Sequence, residues 1–94
     1  MGIRENKVEK YLDQCVRGLC GLTRKWVSPG VDGVPDRIVI IPGAGVWFVE
    51  VKTSDGRLSD CQKREHIRLK DAGANVTTVY GHDGVDEFVA RLLG

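Results

Sequence analysis

No apolar run in the chain approaches the roughly 18 residues that a membrane-spanning helix needs, and the opening stretch MGIRENKVEKYLDQ is too polar for a signal peptide. Both absences lead us to expect a soluble protein. Cysteine is scarce as well. Cys15, Cys20 and Cys61 make an odd number and no pair has CxxC spacing, which argues against a disulfide framework or a zinc knuckle and fits a reducing compartment. Charge of one sign is missing: 14 Lys and Arg against 13 Asp and Glu leave a formal charge of +1, so any contact with nucleic acid must come from a local basic patch. Internal repeats, low-complexity tracts and linkers are absent too. With 94 residues, 41% of them hydrophobic, the chain is expected to be one domain, 1–94, with a core of its own and little to spare.

The elements follow from periodicity. Val8, Leu12, Cys15, Val16 and Leu19 recur at helical spacing and predict a helix over 5–20, with Gly21 to cap it. LTRKWV (22–27) reads as a short strand with Leu22 and Trp26 inward, and SPGVDGVP as a loop. DRIVII (36–41) and VWFVEVK (46–52), joined by PGAG, predict a hairpin. After the TSDGRL loop, Ser59 with Gln62 three residues on forms a capping-box pattern, so a helix starts there and runs to Gly73. NVTTVY (75–80) is the fourth strand, GHDG a loop, and 85–93 a final helix. The fourth strand needs the preceding helix as a crossover, so the expected class is α/β with a mixed sheet.

The segment WFVEVK (47–52) has strand composition, yet it aims Glu50 and Lys52 in the same direction. In an antiparallel hairpin opposed residues share an index sum. A turn centred in 42–45 gives 87, and Asp36 with Glu50 gives 86; a one-residue bulge or a shifted turn would set the two carboxylates side by side. Carboxylates that close repel unless a cation intervenes, and oxygen ligands with open positions suit Mg²⁺ or Mn²⁺ better than zinc. Lys52 would then orient water or stabilise charge on a phosphate, the needs of phosphodiester hydrolysis. Glu9, on the edge of the first helix's apolar stripe, is a candidate third carboxylate.

GVPD at 33–36, EVK at 50–52, an early helix carrying a Glu, a Ser-led helix start and a Gln inside that helix together resemble the PD-(D/E)xK superfamily and, more narrowly, a stand-alone VRR-NUC domain of the phage and bacterial type. The resemblance implies a restriction-endonuclease-like core. It also implies Asp36 and Glu50 as metal ligands with the Val51 backbone carbonyl, Lys52 as catalytic lysine, Glu9 as the helix carboxylate and Gln62 as the active-site glutamine. The expected function is a Mg²⁺- or Mn²⁺-dependent DNA endonuclease acting on branched, Holliday-junction-like DNA, in the cytoplasm of a bacterium or a phage-infected host.

Rival readings are a non-catalytic DNA- or protein-binding module on the same fold, and an exonuclease or RNA nuclease. Arg37, Arg57, Lys63 and Arg64 flank the candidate site and as a group suit phosphates; singly, each is an ordinary solubilising charge. Cys61 and His66, five apart, do not share a helix face well enough for a nucleophilic pair, and His82 in a loop gives no motif. A homodimer is expected because two symmetric cuts need two sites. Val85, Phe88, Val89, Leu92 and Leu93 on the last helix offer either an interface or a cover for the sheet.

Overall fold

Valine and leucine at helical spacing on the first helix meet valines at alternate positions of the strands, and that match sets the architecture. The computed structural model describes residues 3–94. Its elements run α1 (Ile3–Gly18), β1 (Leu22–Lys25), β2 (Arg37–Ile41), β3 (Gly45–Lys52), α2 (Asp60–Asp71), β4 (Val76–Tyr80) and α3 (Gly81–Leu93). One four-stranded sheet has the order β1-β2-β3-β4. The first three strands form an antiparallel meander, and β4 lies parallel to β3 after the α2 crossover. The sheet is mixed, as expected.

Val39, Ile41, Val49, Val51 and Val79 share one face of the sheet with Val8, Leu12 and Val16 of α1 and with Val85 and Phe88 of α3. All are buried and make up the core; Trp47 meets Phe88 edge-on at 5.5 Å on the same side. The other face carries the alternate residues. There Trp26 packs on Phe48 at 5.0 Å, and Glu50 meets Gln62 and His66 of α2.

Three expectations change. The index sum of the hairpin is 86, with Ile41 paired to Gly45 across a three-residue turn, Pro42 to Ala44. The turn is one residue shorter than its composition suggests, because Gly45 joins the strand, and no bulge is needed. Helix α3 starts at Gly81, so GHDG is its first turn and not a loop. The glycines there serve contact: a Cβ on Gly84 would lie 3.1 Å from the Val79 backbone. Leu22 is 52% exposed, in line across the sheet with exposed Ile40 and Val46. Of the two readings of α3's apolar stripe, the structure shows the cover: Val85 and Phe88 are buried in the core, and of the stripe Leu93 is the most exposed.

Candidate active site

The hairpin register decides the site. Arg37 pairs with Val49, so the next position outward sets Asp36 opposite Glu50. One step further, Pro35 would face Val51. Proline has no N–H and cannot close a ladder bond onto the Val51 carbonyl. The Val51 N–H is taken instead by the Asp36 side chain, whose Oδ2 accepts it at 3.0 Å. In an antiparallel pair the N–H and C=O of one residue project to the same side. The Val51 carbonyl therefore opens toward Asp36.

Glu50 is only 2% exposed. Gln62 Nε2 donates to its Oε2 at 3.2 Å, and Lys52 Nζ lies 3.9 Å from the same oxygen. Its Oε1 is buried without a hydrogen-bond partner, facing His66 Nε2 at 3.7 Å. Burial pushes the Glu50 carboxyl up to about 8, helped by a shared hydrogen bond with Asp36 and by Asp36's charge; Lys52 opposes the shift. Burial likewise lowers His66. Gln62 is oriented by the capping box. Its Oε1 accepts the Ser59 N–H at 2.9 Å while Ser59 Oγ accepts the Gln62 N–H at 3.1 Å, so only the amide nitrogen is left to face Glu50.

The structure thus brings Asp36, Glu50, Lys52 and Gln62 together. Glu9 stands next to this group: the Asp36 charge registers at its carboxyl, and its Oε1 is buried without a hydrogen-bond partner. Glu9 lies 3.7 Å from Arg37 on the α1 side, its carboxyl raised by burial against the lowering pull of Arg37. The Glu5 charge, one turn earlier on the same helix face, also registers at Glu50. Arg37 takes a different place from the one expected. Its guanidinium donates to Thr23 Oγ1 at 2.8 Å and lies 3.7 Å from both Glu9 and Asp13, so it faces α1 and is not part of a phosphate patch beside α2. Arg57, Lys63 and Arg64 are exposed around the start of α2.

His66 was missed. Gln62 and His66 are four apart and share a helix face, a spacing that marks the pair once Gln62 is singled out. Among the described residues, no group of three or more His, Cys, Asp or Glu side chains converges on a metal position. The acidic donors at the site are the pair Asp36 and Glu50. No helix among them is long and apolar enough to cross a membrane.

A mixed sheet with a hairpin carrying Asp, Glu and Lys at its open end, backed by a helix Gln, defines a restriction-endonuclease-like domain. The chain belongs to the VRR-NUC domain family, whose profile matches residues 4–83. It is 42% identical over 81 residues to "Putative nuclease p44" of Acyrthosiphon pisum secondary endosymbiont phage 1, an alignment covering 86% of this chain and 87% of that protein. A solved structure described as a VRR_NUC domain superposes with a TM-score of 0.86 at 35% identity, covering 95% of this chain and 97% of the other. A second, a VRR_NUC domain protein at 16% identity, shares the fold with a TM-score of 0.70 over 99% and 90% of the two chains.

Proposed function

We propose that the chain is a Mg²⁺- or Mn²⁺-dependent DNA endonuclease that acts on branched DNA as a homodimer. The observation that carries the reading is the pair of half-buried Asp36 and buried Glu50, with Lys52 beside it. Two adjacent carboxyls in a low-dielectric setting, one with an oxygen lacking any hydrogen bond, form an arrangement that a divalent cation relieves. Asp36, Glu50 and the Val51 carbonyl would hold it, a hard-oxygen donor set. When bound, the ion would neutralise phosphate charge and acidify a water.

The chain's own groups do the rest. Gln62 fixes the Glu50 carboxylate, and Asp36 is fixed by the Val51 N–H. The Lys52 ammonium stabilises charge that grows on the phosphate oxygens as water attacks phosphorus. The P–O3′ bond breaks, leaving a 3′-hydroxyl and a 5′-phosphate. Exposed Arg57, Lys63 and Arg64 lie where flanking phosphates would run. Two-fold pairing of such small domains would present two sites to a four-way junction.

Incubation with linear, flap and four-way-junction DNAs, with Mg²⁺ and with chelator, tests the reading. Cleavage confined to the branched DNAs and to the Mg²⁺ samples is expected. Equal cleavage under chelator, or none on any DNA, would overturn it. Sedimentation with and without junction DNA tests the dimer; a 10.4 kDa species in both refutes it.

A further inference from the structure

Behind the Asp36–Glu50 pair, two buried polar atoms face each other and neither has a hydrogen-bond partner: Glu50 Oε1 and His66 Nε2, 3.7 Å apart. His66 is 5% exposed and Glu50 2%, so water does not serve either atom readily. The donors at Glu50, Gln62 Nε2 and Lys52 Nζ, both address Oε2. Asp36 is an acceptor once ionised and cannot serve Oε1. A cation ligand works as a carboxylate, and a buried carboxylate oxygen with no donor is costly. The imidazole is the group placed to supply that donor, and an ordinary N–H···O distance of about 2.9 Å lies within a small side-chain adjustment.

We propose that His66 is a positioning residue for Glu50: the neutral imidazole carries its proton on Nε2 and donates it to Glu50 Oε1. The α2 helix then grips both oxygens of the carboxylate, His66 on the inner one and Gln62 on the outer, from two positions one turn apart. With its rotation fixed in this way, Glu50 turns Oε2 toward Asp36, Lys52 and the open side of the site. The inference deepens the reading of Asp36 and Glu50 as the cation-holding pair and rests on it. It assigns His66 no contact with substrate and no proton transfer.

Two measurements decide it. The first is the tautomer of His66, read by long-range ¹⁵N–¹H correlation in the unmodified protein at pH 9 without metal. A protonated, pyrrole-type Nε2 is expected; a bare Nε2 with the proton on Nδ1 overturns the proposal. The second is calorimetric titration with Mn²⁺ alone. His66→Leu, which has no donor, should bind Mn²⁺ roughly 10- to 100-fold more weakly, and His66→Gln, which keeps an N–H at the same reach, should return to within about threefold of wild type. His66→Leu binding like wild type, or His66→Gln as weak as His66→Leu, overturns the proposal. If His66→Leu fails to fold, the tautomer of the unmodified protein decides alone. Wild-type protein that binds no Mn²⁺ overturns the cation reading itself, and the pH 9 tautomer still decides the role of His66.

Discussion

Gln62 gives its amide nitrogen to Glu50 Oε2 at 3.2 Å while its amide oxygen holds the Ser59 N–H at 2.9 Å. One side chain therefore ends a helix and braces a buried acid, and the two tasks are separable. Ser59→Ala removes the hydroxyl cap but leaves the main-chain N–H that orients Gln62. It should cost about 1 kcal/mol in a urea melt and leave cleavage within a few-fold. Gln62→Ala should cost similar stability and slow single-turnover cleavage at least tenfold, about 1.4 kcal/mol of barrier. Equal rates in the two variants would show that the Gln62–Glu50 bond is idle.

Asp36→Asn can still accept the Val51 N–H through its amide oxygen, so its melt should change little. Mn²⁺ affinity should fall sharply and cleavage by roughly 10³-fold or more, since a ligand charge is gone. Lys52→Ala should separate differently, with Mn²⁺ binding kept or tightened by loss of a nearby positive charge, and with the rate alone collapsing. Loss of metal binding in the lysine variant would refute the role given to Lys52.

Glu50 makes the metal-free protein sensitive to alkali. Its carboxyl sits at about 8 in the fold, against 4.5 for an unperturbed glutamate. Between those values the folded state holds a proton that the unfolded state has released, so stability is full below pH 4.5 and falls as pH rises toward 8. The loss should total a few kcal/mol, with Glu50→Gln abolishing the slope and melting higher than wild type at pH 8. Parallel pH–stability curves for the two proteins would contradict this.

Gly33 approaches the first turn of α2 so closely that a Cβ would lie 2.7 Å from the Cys61 carbonyl oxygen, at φ +88°. Gly30, at φ +83°, has open space around it. Gly33→Ala should therefore destabilise by about 2 kcal/mol or more, and Gly30→Ala by about 1 kcal/mol from backbone strain alone. Thermal melts that rank them the other way would place the loop contact elsewhere.

Junction binding should weaken steeply with salt. Arg57→Ala and Lys63→Ala should each reduce the slope of log K against log salt by about one if each neutralises a phosphate. Unchanged slopes in both would move the DNA path away from α2.

The element order, the hairpin and the crossover were legible because alternating valines in DRIVII and WFVEVK, and the Ser59–Gln62 cap, are local signals. The pairing of Asp36 with Glu50 was legible only to within one residue. Pro42 and two glycines make several turns possible, and the hydrogen-bond ladder chooses between them. GHDG misled because glycine reads as a breaker, whereas Gly84 is there to let α3 touch the Val79 backbone. The partners of Arg37 and Glu9 were beyond reach for a different reason. Each is a charge near the sheet, and which face it takes depends on α1 packing across the core, a contact between residues far apart in the chain.

The β2–β3 turn lies at the opposite end of the hairpin from the acids, five residues along the strand from Asp36, or about 17 Å at strand rise. Gly43 and Gly45 there have nothing within 4 Å of where a Cβ would stand. The hairpin is therefore a lever with its chemistry at one tip and a vacant grip at the other. A fluorophore, a surface tether or a fused DNA-targeting module attached at the turn would hold the domain by a rigid stem and leave the cleaving end bare.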